Sequence, residues 1–195
     1  MRGFAPVDGG YEAALDEAER DVLSSAARGV AQMLAPVVEG ESPQDGAVAR
    51  LVPDASDDNE VAAEFRRLTQ DDVARGKIDG LDRFADLLDG PDGHGTLPWV
   101  VPEADAQVVA TALTDIRLVV ADRLELASDV DVEELHARLD QALRAEEEGV
   151  DPTADDDGGL WRFLAGVFVT TGWLQESLVD AMLARLRGAG DHAAP

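Results

Sequence analysis

Leu160–Leu186, LWRFLAGVFVTTGWLQESLVDAMLARL, holds two of the three tryptophans and the longest apolar run of the chain. Leu160, Trp161, Leu164, Val167, Phe168, Leu174, Leu178, Met182 and Leu186 recur at helical spacing and form one nearly continuous face. The first half is apolar almost all round, with Leu164, Ala165, Val167, Phe168 and Val169 leaving little polar face. Such a helix is buried on most sides and needs other elements to wrap it. The stretch therefore predicts a C-terminal core helix inside a helical domain, and the rest of the chain must supply its partners.

Composition bounds the answer from outside. With 195 residues and 45% hydrophobic residues, the chain is long enough for one sizeable core. Its formal net charge is −25 and its pI about 4.1. Lys77 is the only lysine. So large an acid excess argues against broad binding to DNA, RNA or anionic membrane, where affinity rests on cationic neutralisation of phosphate. It suits solubility, a high-salt interior or a partner with a basic surface. The chain has no cysteine. Disulfides, thiolate catalysis, Cys-ligated zinc and thiol redox sensing are thereby excluded for it. No apolar run reaches a membrane span: Arg162 interrupts the best one, and Gln175, Glu176 and Asp180 follow. A cytoplasmic location without membrane contact is the expectation.

Taken in order, Asp8-Gly9-Gly10 is turn chemistry between Phe4 and Val7 on one side and Tyr11 on the other, and predicts a short β-hairpin. Asp16 and Glu19 spell a capping box. The helix they open turns Val22, Leu23, Ala26, Val30, Met33 and Leu34 inward and stops around Pro36 and Gly40. Residues 39–48 read as loop, and Leu51-Val52-Pro53 as an apolar anchor. A helix carrying Val61, Ala62, Phe65 and Leu68 follows, and Thr69 caps the next, from Gln70 towards Leu88, with Val73, Ile78, Leu81, Phe84, Leu87 and Leu88 inward. Residues 89–98 are a Gly/Pro/Asp loop. Pro102 opens a broadly apolar helix to Leu126, placed to pack on the C-terminal one. Residues 126–132 read as an exit loop, 133–145 as an amphipathic helix and 146–159 as an acidic, Gly-rich linker. The prediction is a mainly all-α single domain over residues 1–187. It consists of five to six helices around a C-terminal core helix, with an N-terminal β-hairpin and a disordered tail at 188–195.

Chemistry-bearing motifs are few. The acidic runs at 54–60 and 151–157 break the ligand alternation of a calcium loop, so no metal and no cofactor are expected. His94, His136 and His192 stand apart, each without a nucleophile or carboxylate at a recognisable spacing, and no phosphate loop, nucleophile elbow or dinucleotide fingerprint occurs. The expectation is a protein that is not an enzyme. Arg66, Arg67, Arg75, Lys77 and Arg83 form the one local basic cluster, across two helices with a tight joint. That outline is compatible with a helix-turn-helix. Ion pairing with Glu60, Glu64, Asp71, Asp72 and Asp79 is the favoured reading; direct DNA contact stays open, as does docking to an acidic protein surface. Trp173, with Gln175 and Glu176, falls off the main apolar stripe and suggests an interface anchor, against ordinary packing on a second layer. Arg117, Arg123 and Arg162, embedded in apolar helices, are candidates to anchor an anion in a pocket of a small-molecule binder. A homodimer without ligand is a third alternative.

Three segments carry a resemblance: AAEFRRLTQDDVARGKI (Ala62–Ile78), ADAQVVATALTDIRLVVADRLEL (Ala104–Leu126) and LWRFLAGVFVTTGWLQESLVDAML (Leu160–Leu183). With the opening GGYEAALDEAE, they resemble an actinobacterial family named after AosR, the actinomycete oxidative-stress transcriptional regulator. The resemblance spans residues 9–183, and EFRRLT-x-DD and GWLQESLV are its specific strings. It implies a cytoplasmic regulator of transcription under oxidative stress that contacts a stress-type sigma factor or another RNA polymerase component. The family senses through a cysteine pair; this chain has none, so that step is not carried over. The positions put forward for partner binding are Arg66, Arg67, Arg75, Lys77, Trp173, Gln175 and Glu176.

Overall fold

The capping box written at Asp16 and Glu19 closes in the computed structural model, which describes residues 1–53, 70–90, 98–147 and 156–191. Asp16 Oδ1 accepts the Glu19 N–H at 2.8 Å, and Glu19 Oε2 accepts the Asp16 N–H at 2.8 Å. The helix so started, α1 (Glu17–Val38), accommodates Pro36 in its last turn and buries Leu23, Ala27, Val30, Leu34 and Val37. Ahead of it, β1 (Arg2–Val7) and β2 (Gly10–Ala14) form the expected hairpin around Asp8 and Gly9.

A third strand, β3 (Trp99–Pro102), adds to this hairpin in the order β1-β2-β3, all antiparallel. Tyr11 faces Val101 and Ala13 faces Trp99 across the ladder. Tyr11, Ala13, Trp99 and Val101 are buried while Val100 is exposed, the alternation of a sheet covered on one face.

The segment expected as loop at 39–48 contains the start of a short helix, α2 (Gly46–Leu51). Asp45 caps it by accepting the Ala47 N–H at 2.9 Å. Leu51 and Val52 are buried, as the anchor reading required, and Gln70 Nε2 donates to Val52 O at 2.9 Å. The helix expected around Phe65 and the Thr69 cap lie outside the described residues. α3 (Asp71–Asp89) turns Ala74, Leu81, Phe84, Ala85 and Leu88 inward. Val73, expected inward, is exposed; Ala74 occupies the position against the core. A 3-10 turn (Glu103–Asp105) leads into α4 (Ala106–Arg123). α5 (Asp129–Glu147) starts four residues before the expected Glu133. Asp131 Oδ2 accepts the Ala127 and Ser128 N–H groups and the Ser128 hydroxyl, while Ser128 Oγ accepts the Asp131 N–H. That is a capping box of the Ser-x-x-Asp kind. α6 (Asp156–Asp191) is already helical at the end of the expected linker and continues past Gly188, where a tail was expected. The outcome is the predicted mainly helical class, with six helices and a small three-stranded sheet among the described residues.

The elements converge on α4, which touches α1, α2, α3, α6 and β3; α6 rests on α4, α5, β1 and β2. Leu113 and Ile116 of α4, Leu81 and Phe84 of α3, and Leu174 and Leu178 of α6 are all fully buried and belong to one continuous core. Trp99 joins the sheet to this core. Its ring lies 5.1 Å from Phe4 and 6.0 Å from Phe84, and Nε1 donates to Leu87 O at 3.0 Å. The expectation that Leu160–Val169 is core holds only from Ala165 onward. Leu160 and Phe163 are exposed; Trp161 is covered by the Arg138 guanidinium, 3.9 Å from its ring. Among the described residues, no helix is long and apolar enough to cross a membrane.

Candidate functional site

The basic cluster is internally neutralised where it is described. Arg66 and Arg67 lie outside the described residues. Arg75 pairs with Asp71 at 2.7 Å and Asp72 at 3.4 Å along its own helix, as expected from spacing. Lys77 reaches across to α4 and meets Asp115 at 2.6 Å. Arg83 holds Asp105 through two hydrogen bonds, 2.6 and 3.0 Å, and its hydrogen bond keeps the Asp105 carboxyl below the usual carboxylate range. Burial pushes the Asp115 carboxyl up, against the opposing pull of the Lys77 ammonium. A nucleic-acid phosphate would have to displace these carboxylates one by one.

The second group of candidates sits on α6. Trp173 is 38% exposed, and Val179, Leu183 and Leu186, further along the same helix, are exposed as well. The helix is strapped to the sheet beneath: Ser177 Oγ accepts the Phe4 N–H at 3.1 Å, and Arg185 Nη1 donates to Val7 O at 2.9 Å. Gln175 is half-buried. Its amide donates to Thr114 Oγ1 at 2.6 Å and its Oε1 accepts from Arg117 Nη1 at 3.3 Å, which ties α6 to α4. Glu176 is exposed and forms no ion pair among the described residues.

Trp173, Gln175 and Glu176 border a groove of about 660 Å³ between α4, α5 and α6. Phe168, Val169 and Val132 supply apolar walls, His136 comes from α5, and Arg117 enters from α4. The Arg117 guanidinium stacks 4.8 Å over the Phe168 ring. Its Nε is buried without a hydrogen-bond partner among the described residues, and no carboxylate there pairs with it. The close fit depends on Gly172: a Cβ at that position would lie 3.3 Å from Arg117 Cζ and Nε. The other two arginines proposed as anion anchors differ. Arg123 is paired with Asp45 at 2.5 Å and with Asp122 at 3.5 Å. Arg162 lines a separate, smaller hollow beside Arg138 and Trp161.

Sequence reasoning placed Trp173, Gln175 and Glu176 together and singled out Arg117, but it missed that they share one groove. Gly172 was passed over, and His136 was weighed only as a catalytic residue and set aside. A glycine inside an otherwise apolar helix is the one signal that marked the close approach; nothing local in the sequence marks His136. Among the described residues, the groove walls carry no serine, threonine, cysteine or lysine, and no group of three or more side chains is set to hold a metal ion.

A family model described as a domain of unknown function, DUF2017, matches residues 1–182, and the chain belongs to that family. No curated protein and no solved structure matches it.

Proposed function

We propose that this DUF2017 protein is a cytoplasmic regulator that acts by protein–protein contact with the transcription machinery, through the α6 surface that begins at Trp173. The observation that carries the reading is the exposure of Trp173 together with Val179, Leu183 and Leu186 on one helix of a strongly acidic chain. Exposed apolar side chains that recur over several turns of a helix mark interaction sites, and tryptophan is the residue type that most often dominates binding energy. The carboxylates against Arg75 and Lys77 favour the ion-pair reading of the basic cluster over a phosphate-binding one. The resemblance to the AosR family supplies the class of partner: a stress-type sigma factor or an RNA polymerase subunit. With no cysteine in the chain, the contact works without thiol sensing.

The test is binding of the purified chain to RNA polymerase core and to separate sigma factors. Wild-type protein binds one of them. Trp173→Ala weakens that binding by about thirtyfold, the effect of losing a hot spot of about 2 kcal/mol, whereas Arg75→Ala leaves it unchanged. Failure of the wild type to bind, or equal binding by Trp173→Ala, overturns the reading.

A further inference from the structure

We propose that the groove beside Trp173 is a ligand site for a small zwitterion with an apolar body, of amino-acid or dipeptide size. The ligand carboxylate is held by Arg117 and its ammonium by Glu176. Three observations converge on Arg117. It lines an open groove of about 660 Å³, within the range of small-molecule sites. Its Nε is buried and unpartnered, and among the described residues no carboxylate neutralises it. The glycine at 172 leaves the space in which the guanidinium sits close against α6. Apart from the Nη1 hydrogen bond to Gln175, this partly buried cation has no counter-charge among the described residues, and a carboxylate matches its fork geometry.

The order of charge along the groove sets the rest of the ligand. Arg117 abuts α6 at Gly172. Glu176 and Asp180, which also line the groove, follow one and two turns later, at about 6 and 12 Å along the helix. A simple anion would meet these two carboxylates and the field of a chain of net charge −25. A zwitterion carries no net charge into that field and presents an ammonium to the acidic side. Phe168, Val169, Val132 and Trp173 then receive the apolar side chain. The binding itself needs nothing from the proposed partner contact. Its regulatory meaning rests on that contact: ligand and partner share Trp173, so occupancy of the groove supplies a signal input to a regulator that has no thiol.

The experiment is calorimetric titration of the full chain with L-phenylalanine, L-phenylalaninamide, N-acetyl-L-phenylalanine and L-leucyl-L-phenylalanine. Saturable binding of phenylalanine or the dipeptide is expected, and the tighter of the two identifies the natural size class. The amide, without a carboxylate, and the acetylated form, without an ammonium, each bind at least about tenfold more weakly, a loss of about 1.4 kcal/mol. Arg117→Gln shows the first loss. Glu176→Gln, at an exposed position that leaves the core intact, shows the second even if Arg117→Gln does not fold. Absence of saturable binding at about 1 mM, the weak end of specific affinity, overturns the proposal. So does equal binding of phenylalanine and its amide. Neither result bears on sigma-factor or polymerase binding, so the two readings fail separately.

Discussion

Lys77 Nζ donates to Asp115 Oδ1 at 2.6 Å, and the residue that receives it is 2% exposed. The only lysine of the chain is thus the counter-ion of a buried carboxylate and a bolt between α3 and α4. Removing one partner of such a pair leaves an uncompensated buried charge. Lys77→Met is expected to cost about 3–5 kcal/mol at neutral pH, measured by denaturant unfolding. Part of that loss returns on mild acidification, because the stranded Asp115 carboxyl, already raised by burial, takes up a proton in the folded state.

The exposed pairs respond to acid in the opposite sense. Hydrogen bonds from Arg123 and Arg83 hold Asp45 and Asp105 below the ordinary carboxylate value of 3.8. Carboxyls depressed by folding give their stability above that value and lose it as pH falls through their folded range. Asp115, raised, contributes below 3.8 and loses that contribution as pH rises. Arg83→Gln should therefore cost less than about 1 kcal/mol at neutral pH, given solvent screening. It should also flatten the fall in stability below pH 3.8 relative to wild type, as read from unfolding midpoints across an acid series. A variant as acid-sensitive as the wild type would show that the Asp105 pair contributes nothing.

Gly10 sits where β2 and β3 meet, and a Cβ there would lie 2.2 Å from the Val101 carbonyl oxygen. Backbone on both sides has nowhere to yield. Gly10→Ala is expected to destabilise by about 3 kcal/mol, the upper end of overpacking costs, and to weaken the Trp99 anchor. Loss of the Trp99 near-ultraviolet dichroism would register it.

What was legible in the sequence was local. The capping box at Asp16 and Glu19 closes within one turn, and the hairpin at Asp8 and Gly9 needs only its own flanks, so both followed from short-range rules. β3 was hidden because Trp99–Pro102 is only four residues long and finds its partner at Tyr11 and Ala13, far back in the chain. The Lys77–Asp115 pair spans 38 positions, and the Gly172–Arg117 approach joins two helices; periodicity within one helix carries no information about either. Helical spacing did place Trp173 off the buried stripe, and it stands at the groove edge. It overstated the burial of Leu160 and Phe163, because an apolar side chain marks willingness to be buried, and geometry decides whether a neighbour arrives.

That correction is itself testable. Phe163 is half-exposed, whereas Phe168 is buried beneath Arg117. Phe163→Ser should change stability by no more than about 0.5 kcal/mol, as surface substitutions do. Phe168→Ala should cost about 3–5 kcal/mol. Comparable losses at both sites would restore the first turns of α6 to the core.

The central claim is that α6 meets its partner at Trp173, and site-specific photo-crosslinking in oxidatively stressed cells tests it most directly. A photoreactive aromatic residue incorporated at position 173, which keeps a large ring at the contact, is predicted to form an adduct with a sigma factor or RNA polymerase subunit, while the same residue at position 75, beside Asp71 and Asp72, forms none. The contradicting result is no transcription-machinery adduct at position 173, or one formed equally from position 75.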